Sequence, residues 1–148
     1  MEFQGESNIP APCQEVWDAL LDPEILKECI DGCQEMTQVS EHQYLAKVRA
    51  RIGPVRTTFS ANIQMVDVVA PTSYTLEVSA TGGAAGFGKG SASISLVDHG
   101  SETQMHYAVN GVVGGKLAQI GSRLIGGVID KLTTHFFTKF VERWTLQT

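Results

Sequence analysis

Apolar and polar residues alternate with period two through five segments in the middle of the chain. Residues 42–52 place Tyr44, Ala46, Val48, Ala50 and Ile52 on one side. Residues 57–69 set Phe59, Ala61, Ile63 and Met65 against Thr58, Ser60, Asn62 and Gln64. The pattern returns at 73–80 (Tyr74, Leu76, Val78), 90–97 (Ala92, Ile94, Leu96) and 103–113 (Met105, Tyr107, Val109). Alternation over successive hairpins predicts antiparallel strands with one dry and one wet face. Residues 3–9 alternate in the same way and add a sixth strand ahead of these. Pro10 and Pro12 end it and open a helix with Val16, Trp17, Leu20 and Leu21 on its apolar face. Asp22-Pro23 breaks that helix and caps a second, short one through Ile25, Leu26 and Ile30, which ends at Gly32.

The period changes in the last third. Leu117, Ile120, Leu124, Val128, Leu132, Phe136, Phe140 and Trp144 recur at three-to-four spacing, which predicts one amphipathic helix over residues 116–144. At about 1.5 Å per residue it would be about 45 Å long. Its first half is rich in small residues (Ala118, Gly121, Gly126, Gly127, after Gly114 and Gly115), and its second half carries Phe136, Phe137, Phe140 and Trp144. A helix that is thin at one end predicts a cavity beneath that end. The element order is β, two helices, a run of strands and one long helix, which is one α+β domain over residues 1–148. The long helix is the element able to cover the dry face of a twisted antiparallel sheet, so the sheet is expected to curl around it and leave a binding site between them.

Composition narrows the function classes. Sixteen acids against eleven bases give a net charge of −5, which argues against nucleic-acid binding. The charge is uneven: residues 1–46 carry ten carboxylates and one lysine, and the remainder sums to +4. Lys47, Arg49 and Arg51 alternate along one strand and would line its outer face as a docking stripe for an acidic partner or lipid headgroups. No window approaches the ~18 apolar residues of a membrane span. The acidic start, MEFQGESNIP, lacks the regions of a signal peptide, so the cytoplasm is the expected location. Cys13, Cys29 and Cys33 are odd in number and read as inert thiols, because C-x3-C without a second pair does not make a tetrahedral metal site.

No catalytic constellation emerges. Gly83 to Lys89 satisfies G-x-x-x-x-G-K, but Gly90 stands where a magnesium-binding Ser or Thr belongs and a strand follows instead of a helix. The run reads as a glycine-rich hairpin that lets the sheet bend, with Phe87 able to act as a lid over the pocket mouth. His42, His99, His106 and His135 lie in unrelated elements. Asp67 continues the inward parity of Phe59 to Met65, but exposure is expected at the strand end. Tyr74 and Tyr107 bring hydroxyls to the inner face, where they could hydrogen-bond a ligand carbonyl. No cofactor is called for, and no nucleophile, base and oxyanion set assembles.

Four segments carry a resemblance: Cys29-Ile-Asp-Gly-Cys33, Gly53-Pro54-Val55, Gly86-Phe-Gly-Lys-Gly90 and VGGKLAQIGSRLI from Val113 to Ile125. On these the chain resembles the CoxG family of carbon monoxide dehydrogenase subunits, within the START-like (SRPBCC) helix-grip superfamily. Asp31 departs from the proline more often found between the two cysteines. The resemblance implies a helix-grip fold with a deep apolar cavity, and an accessory role beside a molybdenum-containing carbon monoxide dehydrogenase or related hydroxylase. It further implies carriage of a quinone-like acceptor and recruitment to the inner face of the membrane. It supplies no catalytic residues. Strand parity and helix phase give the expected lining: Phe59, Ile63, Met65, Tyr74, Leu76, Phe87, Met105, Tyr107, Leu117, Ile120, Gly121, Leu124, Ile125 and Val128. The leading expectation is a non-enzymatic binder of a hydrophobic small molecule, quinone or lipid, in which Gly121→Leu would fill the cavity. The alternatives are a protein-docking or membrane-recruitment module and a cyclase- or hydratase-like enzyme.

Overall fold

A computed structural model describes residues 1–145. The described residues form β1 (Glu2–Ile9), α1 (Cys13–Leu21), α2 (Pro23–Cys29), β2 (Cys33–Ser40), β3 (Gln43–Ile52), β4 (Val55–Val69) and β5 (Ser73–Thr81). A 3-10 turn at Gly83–Ala85 leads to β6 (Phe87–Asp98), β7 (Thr103–Gly114), α3 (Lys116–Ile120) and α4 (Ser122–Thr145). The seven strands make one antiparallel sheet in the order β1-β7-β6-β5-β4-β3-β2. The two halves of the chain therefore grow outward from the β5–β6 hairpin, and β1 closes one edge by returning to β7.

Strand parity sets the faces. Ile9, Tyr44, Phe59, Met65, Tyr74, Ile94, Leu96 and Met105 are all buried on the inner side, with polar residues between them outside. Asp22 ends α1 and begins α2: its carboxylate accepts from the Glu24 N–H at 3.0 Å, and Pro23 takes the first helical position. The Tyr44 hydroxyl donates to the Leu21 carbonyl at 2.6 Å and ties β3 to the end of α1. The main core lies at this end, where Val16, Trp17 and Leu20 meet Tyr44, Tyr74, Ile94 and Phe140.

Two expectations change, while the exposure expected of Asp67 is met. β2 is an additional strand, because its sequence CQEMTQVS shows no alternation: only Cys33 and Met36 are half-buried, and its pairing with β3 is interrupted by bulges. The terminal helix is two helices. Gly121, at φ +99, separates α3 from α4, a backbone conformation that a side chain opposes, and Gly115 at φ +68 opens α3. The 24 residues of α4 span about 36 Å. Asp67 is exposed at a bulge between Val66 and Val69, with φ +51, and the extra residue turns its side chain off the inner face.

Candidate functional site

A cavity of about 390 Å³ lies between the sheet and α4. Its floor is the inner face of the sheet: Tyr44 and Val48 from β3, Ile63 and Met65 from β4, Tyr74 and Leu76 from β5, Ile94 from β6, and Met105, Tyr107 and Val109 from β7. Ile129, Leu132, Thr133, Phe136 and Phe137 of α4 form the roof. Leu20, Leu26, Ile30, Asp31 and Met36 close the side. The lining is almost wholly apolar, so the space favours an apolar occupant over water, which needs two to four polar partners.

Aromatic rings hold the roof in place. Phe137 stacks on Tyr107 at 5.2 Å with 21° between the planes, and Phe136 stacks on Phe140 at 5.5 Å. Phe140, fully buried, meets Trp144 edge-on at 5.1 Å. Glycine makes the Tyr107 placement possible: Tyr107 lies over Gly5, its partner across the β1–β7 ladder, where a Cβ would overlap the phenol ring.

The sequence-predicted residues divide by element. Ile63, Met65, Tyr74, Leu76, Met105 and Tyr107 converge on the cavity. Phe59, Leu117 and Ile125 are buried, but under the glycine-rich end and away from it. Ile120, Gly121, Leu124 and Val128 line a shallow hollow on the surface instead. Leu124 and Ile120 cover the β3–β4 turn, where a Cβ on Gly53 would meet Leu124 Cδ2 at 2.7 Å. The cavity thus sits beneath the aromatic half of the helix and not beneath its thin half. Where the helix residues are small, nothing props α4 away from the sheet, whereas stacked rings do. Gly121 borders open space, so Gly121→Leu would not fill the cavity.

Phe87 is no lid. It shares the outer parity of Lys89 and Ser91, is 46% exposed, and lies over Gly114, its partner on β7. The inward positions Ala92, Ile94 and Leu96 already carried the signal that placed it outside. The same parity would have found Tyr44, Val48, Ile94 and Val109, which are missing from the expected lining. The contributions of α2, β2 and the loop at Asp31 had no local signal.

Three tyrosines line the cavity; Tyr107 is half-buried with its hydroxyl over Gly5, and the two buried ones differ. Tyr44 is hydrogen-bonded, as above, and burial pushes its phenol up, with Asp22 adding to the effect. Tyr74, 5% exposed and in edge contact with Trp17 at 5.3 Å, has no hydrogen-bond partner among the described residues. Burial, and secondarily Tyr44, pushes its phenol far above the ordinary range. An unpartnered hydroxyl in such surroundings costs about 1–3 kcal/mol. Catalytic groups are scarce. Apart from Asp31, exposed at the rim, no Asp, Glu, His, Lys, Arg or Cys lines the cavity. Among the described residues no three His, Cys, Asp or Glu side chains gather to hold a metal. Burial pushes the Cys29 thiol up to about 11, which leaves it protonated and unreactive at neutral pH.

A family model described as the carbon monoxide dehydrogenase subunit CoxG matches residues 5–144. The chain belongs to this family. Among solved structures it is similar to a conserved protein from Geobacillus kaustophilus, with 34% identity and a TM-score of 0.89, covering 97% of this chain and 94% of that one. A START superfamily protein from Mycobacterium smegmatis shares the fold at a TM-score of 0.75 and 10% identity, with 99% of each chain covered. The Zhui aromatase/cyclase from Streptomyces sp. R1128 does so at 0.70 and 9% identity, covering 97% of this chain and 92% of that one. Among curated proteins none matches. The fold is the START-like helix grip, a curved seven-stranded antiparallel sheet around a long C-terminal helix. Among the described residues no helix of this CoxG family member is long and apolar enough to cross a membrane.

Proposed function

We propose that the protein binds a hydrophobic small molecule, a quinone or lipid, in the cavity between sheet and α4, as a non-catalytic accessory to a molybdenum-containing carbon monoxide dehydrogenase-type oxidoreductase. The observation that carries this reading is the apolar cavity of about 390 Å³, walled by Ile63, Met65, Leu76 and Met105 below and by Leu132 and Phe136 above. Burial of an apolar ligand there is worth about 25 cal/mol per Å² removed from water. Membership of the CoxG family supports the partner, and the lack of acid–base groups in the lining supports binding over turnover. Native mass spectrometry after incubation with quinone-containing membrane extract tests it. A stoichiometric adduct, extractable as quinone or lipid, is expected in the wild type and is lost in Leu132→Trp, which fills the space from α4. A clean apo mass in the wild type would sink the reading.

Docking is a second reading, favoured by the outer face of β3. Lys47 is paired with Glu35 at 3.7 Å, but Arg49 and Arg51 have no ion-pair partner among the described residues. Arg51 moreover stands directly opposite Arg56 across the β3–β4 ladder. Like charges so placed oppose folding by a few tenths of a kcal/mol, roughly, and an acidic partner surface would offset that. Charge reversal at Lys47, Arg49 and Arg51 is expected to abolish capture of the partner dehydrogenase while leaving the ligand adduct intact. Unchanged capture would remove this face from consideration.

A further inference from the structure

The fold leaves one deeply buried polar group unused inside the apolar cavity, the Tyr74 hydroxyl. The hydroxyl of the half-buried Tyr107, also unpartnered among the described residues, lies over Gly5 of the edge strand β1. Every fully enclosed polar side-chain atom among the described residues has a partner. The Tyr74 oxygen has none, so it meets open space, and the open space that Tyr74 lines is the cavity. No hydrogen bond joins it to its neighbour Tyr44, whose own hydroxyl donates to the Leu21 carbonyl. A phenol carries one donor, and an occupant made only of hydrocarbon would leave that donor unpaired.

The surroundings set the charge and direction of the occupant. No cationic side chain lines the cavity, and the carboxylate at its rim is Asp31. An anionic ligand would be stripped of water with no counter-charge and with a like charge at its exit, and a cation would find no partner beyond the rim. Depth is equally directional. Tyr74 sits among Tyr44, Met65, Ile94 and Met105, all nearly inaccessible, whereas Asp31 is exposed and Ile129 and Thr133 are half-buried.

We infer that the cavity selects a neutral, apolar molecule whose carbonyl- or ether-type oxygen lies at the inner end and accepts a hydrogen bond from Tyr74, any further length leaving past Asp31 and Thr133. The inference rests on the hydrophobic-ligand reading and deepens it. It makes Tyr74 the specificity-determining residue, admits ketones, quinones and esters, and rejects fatty-acid anions.

Three naphthalenes of equal heavy-atom count test it by titration against the whole chain: 2-acetylnaphthalene, 2-isopropylnaphthalene and 2-naphthoate. Wild type is expected to bind both neutral compounds and to bind naphthoate at least about tenfold more weakly than the ketone. Tyr74→Phe is expected to weaken the ketone by about 3- to 10-fold, the worth of one neutral hydrogen bond, and to leave the hydrocarbon unchanged. The infrared carbonyl stretch of the bound ketone should be lowered in wild type and return to its apolar-solvent frequency in the variant. The wild-type spectrum reads the hydrogen bond without any substitution. A ketone stretch at the apolar-solvent frequency in wild type, equal effects on ketone and hydrocarbon, or naphthoate binding as tight as the ketone would overturn the inference and leave the cavity reading standing. Failure of both neutral compounds to bind would overturn the cavity reading, and the inference with it.

Discussion

Tyr44 and Tyr74 sit in the same apolar lining and differ by one hydrogen bond. The Tyr44 hydroxyl satisfies a backbone carbonyl at the end of α1, so Tyr44→Phe should destabilise the protein by about 1–2 kcal/mol, leaving the Leu21 oxygen without its donor. Tyr74→Phe removes a hydroxyl with no protein partner and should be neutral or stabilising by up to ~1 kcal/mol, because Trp17 still meets the ring edge-on. Urea unfolding of the two variants side by side checks this. A larger loss in Tyr74→Phe than in Tyr44→Phe would mean that the Tyr74 hydroxyl has a structural bond. The residue scale thus separates a tyrosine that holds the fold from one left available to a ligand.

At the scale of elements, the break between α3 and α4 matters most. Gly121 adopts φ +99, ψ 144, a region that side chains rarely enter, and a Cβ there would meet open space. Strain alone is therefore at issue, and Gly121→Ala should destabilise by about 1–3 kcal/mol without altering ligand uptake. Thermal unfolding together with the native-mass adduct reads both quantities. A stability unchanged from wild type would mean that α3 and α4 can run on as one helix at little cost. The stripe of apolar residues was legible in the sequence over this whole stretch, yet Ile120, Leu124 and Val128 end on the surface and Ile129, Leu132 and Phe136 face the cavity. The break resets the helix phase, and a periodic stripe cannot show on which side of a break it belongs.

Across the whole molecule, five groups share one direction of pH dependence. Burial is the leading cause that raises Cys13, Cys29, Cys33, Tyr44 and Tyr74, each of which the fold holds protonated. Cys29 is raised from 9.0 to about 11, so between these values the unfolded chain loses its proton and the folded chain keeps it. Its contribution to stability is present in full below pH 9 and is lost as pH rises towards 11. The urea midpoint should fall across that window, and less steeply in Cys29→Ala. Equal slopes for the two proteins would show that Cys29 ionises freely in the fold. Charge is also distributed at this scale. Stretches 47–60, 78–97 and 103–129 hold no Asp or Glu, and the turns they form meet α3 and the start of α4 at one end of the sheet. The opposite end carries α1, α2 and most of the acids.

Local periodicity by itself determined which residues of each long strand face inward, since Tyr74, Met65 and Met105 are fixed by alternate positions along one pleated chain. It likewise determined the two short helices, through Pro12 and Asp22-Pro23, and a closing helix for the sheet to grip. β2 escaped because an edge strand exposed on both faces has no pattern to read. Only the tertiary structure decided where the cavity lies. Its position depends on Phe137 meeting Tyr107 across 30 residues of chain, and on Gly5 leaving room beneath that ring. It also decided that Tyr44 finds a carbonyl and Tyr74 finds none. A hydroxyl's partner is chosen by what the fold brings near it, and no spacing along the chain records that.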